Sequence, residues 1–124
     1  METLKIKSFT DLITWQEGHK LVLLIYKTTD KFPQKEIYAL TSQIRRAAIS
    51  ITSNIAEGFS RNSIKEKIQF YYMALGSVTE LQNQLIIAKD VEYIDEKTFN
   101  EVLHLSVSVN KLINGLIKSL KSRA

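Results

Sequence analysis

The chain has 124 residues, 44% of them hydrophobic, and a formal net charge of +4 from 17 basic and 13 acidic side chains. That length and apolar content suit a single domain over residues 1–124 that buries roughly two-thirds of its unfolded surface, and they exclude a disordered chain. It has no cysteine, which excludes disulfides, a thiol nucleophile and a cysteine-type zinc site, and makes a reducing cytoplasm the natural compartment.

The longest aliphatic run, Leu21 to Ile25, is far too short to span a bilayer, so no membrane partner is expected. The opening Met-Glu-Thr-Leu-Lys-Ile-Lys lacks the apolar core of a signal peptide. One proline and four glycines leave few breaks, and apolar positions recur at three and four residues almost throughout. The first helix is predicted from about Asp11 to Asp30, with Leu12, Trp15, His19, Val22, Ile25 and Tyr26 on one face. It ends before Phe32-Pro33, because the residue before proline is pushed out of helical geometry.

Pro33 is expected to open the second helix, where its missing N–H costs nothing. Ile37, Leu40, Ile44, Ala48, Ile51 and Ile55 then form a heptad-like seam. Beside the seam lies a second stripe of Gln43, Ser50, Asn54 and Glu57. These mostly short polar groups allow two helices to approach closely and hydrogen-bond, so the helix is expected to be enclosed on more than one side. Gly58 is expected to stop it in left-handed geometry.

Ser63-Ile-Lys-Glu66 reads as a capping box opening a third helix with Ile64, Ile68, Tyr71, Leu75, Val78, Leu81 and Leu85, ending around Ala88 to Val91. Asp95 is the expected N-cap of a fourth, bearing Phe99, Val102, Leu105, Val109, Leu112, Leu116 and Leu120. Asn114-Gly115 is a turn signal inside it, but the apolar spacing continues through. Short connections make neighbours antiparallel, so the predicted fold is all-α, an up-down-up-down four-helix bundle.

The sequence offers little catalytic chemistry. Glu101-Val-Leu-His104 is one Glu-x-x-His pair, but Gln16 stands three before His19, so the second pair of a di-iron site is missing. No metal and no cofactor are expected. Glu57 and Glu80 could face one another as an acid–base pair, although pairing and hydrogen bonding are their commoner roles. Gly18, Gly58, Gly76 and Gly115 stand alone and make no phosphate loop. Inside a helix Gly18 and Gly76 each cost about 1 kcal/mol relative to alanine, which points to close approach of another helix; Gly76-Ser77 offers a flat patch for it.

Phe70, Tyr71 and Tyr72 could stack bases, but at helical spacing aromatics are more often core or interface. Arg45, Arg46 and Arg61 suit phosphate or carboxylate through their planar donor forks, and an ion pair between helices or subunits serves equally. The last fourteen residues hold Lys111, Lys118, Lys121 and Arg123 with no acid. Such an end can neutralise phosphates; it also answers the helix macrodipole.

Phe9-Thr-Asp-Leu-Ile-Thr-Trp15, Phe32-Pro33 with Glu36 and Tyr38 to Gln43, Ile44-Arg-Arg-Ala-Ala with Ser50 through Asn54-Ile-Ala-Glu-Gly58, and Gly76-Ser-Val-Thr-Glu-Leu81 occur in that order. Across residues 9 to 120 the chain resembles the bacterial four-helix bundle proteins encoded in intervening sequences of large-subunit ribosomal RNA genes. The resemblance implies a ring-shaped homopentamer and kinship with the basic accessory proteins of diversity-generating retroelements, which engage nucleic acid and a reverse transcriptase. Five copies would sum to about +20, making a weak site multivalent. The chain departs from the pattern at Ala39, where glycine is common, and at Thr52, where proline is common.

The expected function is non-enzymatic: an oligomer that touches RNA or DNA through Arg45, Arg46, Arg61, Lys111, Lys118, Lys121 and Arg123. In the alternative, it is a scaffold for a protein partner and its arginines hold subunits together. Gln43, Ser50, Asn54, Glu57, Gly58, Gly76 and Glu80 are the expected structural motif.

Overall fold

Four α-helices organise the chain: α1 (Ile13–Thr29), α2 (Leu40–Ser60), α3 (Ile64–Asp90) and α4 (Glu96–Arg123), with short 3-10 turns at Phe9–Asp11 and Gln34–Glu36. The computed structural model describes residues 5–124; the first four residues of the stretch read for a signal peptide lie outside them. No strand occurs among the described residues.

Each helix start has a local cause, and two differ from expectation. Asp11 does not begin α1. Its carboxylate accepts the N–H groups of Lys7 at 2.9 Å and Ser8 at 3.0 Å, closing a capping box with the Ser8 hydroxyl around the first 3-10 turn. Leu12 is then extended, and α1 starts at Ile13. Nor does Pro33 open α2. It precedes the Gln34–Glu36 turn, Ala39 falls outside helical geometry, and α2 begins at Leu40, whose N–H is taken by Glu36 Oε1 at 3.3 Å. Ala39, one of the two departures from the family pattern, is therefore the N-cap of this helix.

Ser63 caps α3 by accepting the Glu66 N–H at 3.1 Å. The return bond of the expected capping box runs from the Ser63 hydroxyl to the Glu66 carboxylate at 3.0 Å rather than from the backbone. Asp95 caps α4 as expected, accepting the Thr98 N–H at 2.7 Å. Asn114 and Gly115 do not interrupt α4.

Cross-helix pairs set the topology. Thr29 meets Arg45 and Gly18 meets Thr52; Ser50 meets Ser77 and Gly58 meets Tyr71; Gln82 meets Ser106 and Tyr72 meets Lys121. In each set one number rises as the other falls, so successive helices run antiparallel. α4 closes back on α1, and the bundle is up-down-up-down.

The α2 stripe of Ile44, Ala48, Ile51 and Ile55 is fully buried, as its spacing predicts. In α1 the buried face is instead Thr14, Gly18, Leu21, Ile25, Thr28 and Thr29, while His19 and Tyr26 are exposed. Small residues set this face by letting α2 come near: a Cβ on Gly18 would lie 3.1 Å from Thr52 Cγ2. In α4 the inward row runs through Ser106, Ile113 and Ile117, leaving Leu105, Leu112 and Leu116 half-buried. Ser106 is fully buried because the amide of Gln82 reaches it at 3.0 Å and its own hydroxyl donates to the Leu103 carbonyl at 2.7 Å.

Candidate nucleic-acid interface

The antiparallel register sorts the candidate cations into separate places. Arg45 lies in α2 and Arg61 caps its far end, sixteen residues and about 24 Å away. Arg45 faces α1: its Nε donates to Thr29 Oγ1 at 2.8 Å, its Nη2 meets Asp30 Oδ1 at 3.2 Å, and the guanidinium lies 4.5 Å from the Tyr26 ring centre. Its fork thus serves the α1–α2 contact. Arg46, one position on, points outward with no hydrogen-bond or ionic partner among the described residues. Lys111 is exposed midway along α4.

Arg61, Lys118, Lys121 and Arg123 gather at the opposite end, where α2 and α4 finish and α1 and α3 begin. Arg61 pairs with Glu57 at 3.1 Å and covers the Phe70 ring at 4.6 Å. Lys121 Nζ donates to Tyr72 Oη at 2.7 Å, holding a half-exposed aromatic beside a cation. Lys67, absent from the sequence-based candidates, donates to the Phe59 carbonyl at 2.6 Å and the Gly58 carbonyl at 3.4 Å, satisfying the open end of α2. Burial, and then the charge of Arg123, lower the Lys67 pKa.

Residues 5–12, 57–67 and 117–124 compose this end. They carry eight basic side chains (Lys5, Lys7, Arg61, Lys65, Lys67, Lys118, Lys121, Arg123) against three acidic ones (Asp11, Glu57, Glu66), a surplus of five. Residues 27–46 and 89–101, at the other end, carry seven of each. The surplus positive charge is therefore collected at one end of the bundle. Lys5, Lys7, Lys65 and Lys67 escaped sequence reasoning because they are scattered along the chain; only antiparallel pairing brings them beside the C-terminal cluster.

The second stripe of α2 is half enclosed. Ser50 and Ser77 share a 2.8 Å hydrogen bond across α2 and α3, and Asn54 Nδ2 donates to the Ser50 carbonyl at 2.9 Å and hydroxyl at 3.2 Å. Gln43 and Glu57 are exposed. Their longer side chains reach solvent, so the expected enclosure stops at the two short ones. Gly58 does not stop the helix; α2 continues to Ser60, and the glycine makes room for α3, since a Cβ there would lie 2.6 Å from the Tyr71 ring. Gly76 does the reverse of close intrachain packing: nothing among the described residues lies within 4 Å of the space its Cβ would fill.

Glu57 and Glu80 do not form a pair. With Ser50 opposite Ser77 and Gly58 opposite Tyr71, they stand at levels about nine residues apart, or about 14 Å along the axis. Glu57 binds Arg61, and Glu80 accepts from the Gln84 amide at 3.4 Å. Glu101 and His104 are exposed, and no metal-ligand grouping occurs among the described residues. Tyr71 belongs to the core, whereas Tyr72 is half-exposed. No helix among the described residues is long and apolar enough to cross a membrane.

The family model described as 23S rRNA-intervening sequence protein matches residues 10–115. The chain belongs to that family. Among solved structures it is similar to the crystal structure of a protein of unknown function from the S23 ribosomal protein family of Bacteroides thetaiotaomicron, at 24% identity and a TM-score of 0.77, over 86% of this chain and 99% of that one. That likeness shows the shared helical fold. None of the curated proteins matches. In this member of the 23S rRNA-intervening sequence family, the stretch from Ile44 to Gly58 supplies core, interhelical hydrogen bonds and the seat for Tyr71, and the net positive charge lies at the end toward which that stretch runs.

Proposed function

We propose that this protein is a non-enzymatic, oligomeric nucleic-acid-associated protein whose phosphate contacts lie at the basic end of the bundle. The observation that carries this reading is the charge segregation: a surplus of five at one end and none at the other. Clustered cations displace counterions from a phosphate backbone and give salt-dependent affinity without reading sequence. Tyr72, held by Lys121, adds an aromatic face on which an unpaired base can stack. A family named for a ribosomal RNA intervening sequence accords with RNA as the partner.

The test is a titration against structured RNA at 50 and 200 mM salt. Binding at the lower salt that weakens steeply at the higher is expected, with loss on Arg61→Ala/Lys121→Ala/Arg123→Ala and little change on Arg46→Ala. Absence of binding at 50 mM salt, or affinity indifferent to salt, sinks the reading.

A scaffold is the second reading, and the outer face of α3 favours it. Open Gly76 lies there between exposed Met73 and exposed Ile87, with nothing among the described residues within 4 Å of the space its Cβ would fill. A second copy packing on that face would explain a helical glycine that intrachain packing does not need. Light scattering of Met73→Arg decides: dissociation to monomers assigns the face to assembly, and an unchanged mass rejects it.

A further inference from the structure

Between the ends of the helices, on the basic end, the hydrophobic core is open to a cleft of about 340 Å³. Its floor and walls are Leu12, Phe59, Tyr71, Leu116 and Leu120; Lys67 and Arg123 stand beside them. That volume lies at the lower limit of the roughly 300–1,000 Å³ of small-molecule sites, which are characteristically apolar with a few placed polar groups. It suits one chain, not a two-chain lipid or a polynucleotide.

The two cations are unusual for their position. Among the described residues Arg123 has no hydrogen bond or ion pair and no acid lines the cleft. Lys67 gives two of its N–H directions to the end of α2 and retains a third. Their like charges oppose one another closely enough to lower the Lys67 pKa, on top of burial. An anion between them would relieve that repulsion, and only an anion with an apolar body would also cover the exposed end of the core.

We propose that this cleft binds a single-chain amphiphilic anion, of the class of a medium-chain carboxylate, with its head at Arg123 and Lys67 and its chain over Leu12, Leu116 and Leu120. The site shares Arg123 with the nucleic-acid reading but differs from it in needing the apolar cleft, which phosphate contacts do not.

Calorimetric titration of the full chain with dodecanoate tests it, with dodecanol and acetate as the separated halves of the ligand. Saturable binding at one per chain is expected for dodecanoate, at least tenfold weaker binding for dodecanol, and none for acetate. Arg123→Ala should weaken dodecanoate at least fivefold. Ser119→Trp, on the exposed rim where folding is not at stake, should block the cleft while leaving RNA affinity within twofold. Vesicles of phosphatidylglycerol should not retain the protein at 150 mM salt. Dodecanol binding as well as dodecanoate, indifference to both substitutions, or retention by vesicles without dodecanoate binding would each overturn the assignment.

Discussion

Gly58 and Gly76 are the same residue in the same type of helix, with opposite surroundings. At Gly58 the Tyr71 ring occupies the space of a side chain: a Cβ there would lie 2.6 Å from the ring and 3.2 Å from Phe70 Cβ. Gly58→Ala is therefore expected to destabilise the protein by about 1–3 kcal/mol, the usual range for overpacking. At Gly76 the space is open, so Gly76→Ala should stabilise the monomer by up to about 1 kcal/mol through helix propensity alone. Urea unfolding of both variants checks this; equal effects would show that local packing does not separate them. The sequence marked Gly76 for close approach and Gly58 for a turn. Within the chain it is Gly58 that admits a close neighbour, because a glycine near a helix end carries the same local signal whether it breaks the helix or makes room for another.

The helices and their entries depend on ionised carboxylates. Asp11 has a lowered pKa because it accepts the Lys7 and Ser8 N–H groups, and Asp95 because it accepts the Thr98 N–H. Glu36 is lowered first by the Tyr93 hydroxyl at 2.7 Å and then by the Leu40 N–H. That bond ties the α1–α2 connection to the α3–α4 connection and raises the Tyr93 pKa. In each carboxylate the folded pKa lies below the unfolded one. The stabilisation is therefore complete above the ordinary carboxylate range of about 4 and is lost as pH falls through the folded value. The thermal midpoint should fall as pH drops from about 5 towards 2. Asp11→Asn/Asp95→Asn, which keeps side-chain acceptors at both caps, should flatten the acid limb; an unchanged limb in circular dichroism melts would place its origin elsewhere. Element existence and order were legible from apolar spacing and from Ser63 and Asp95. The faces of α1 and α4 were not, since Gly18 and the Gln82–Ser106 bond turn each helix by an amount that its own apolar residues do not encode.

At the scale of the whole molecule the bundle is electrically lopsided, and Arg45 belongs to the contact between α1 and α2. Lys121→Ala should weaken RNA binding about equally for different sequences and reduce the slope of log affinity against log salt by about one, the signature of a lost phosphate contact. Lys27→Ala at the opposite end, where acids balance bases, should leave the slope unchanged. Equal effects from both would place binding along the sides of the bundle. Arg45→Ala should lower stability instead, by about 1 kcal/mol for the lost hydrogen bond to Thr29, with RNA affinity retained in the folded protein.

The sequence by itself determined the all-helical class, the number and order of helices, the α2 core stripe and the family, because apolar period and motif spacing are properties of one helix at a time. Tertiary structure alone decided which charges stand together. Antiparallel packing brings residues 5–12, 57–67 and 117–124 to one end. It also removes Arg45 to the far end and separates Glu57 from Glu80. Electrostatic contact depends on distance in space, and that distance is fixed by how the helices pair rather than by position along the chain.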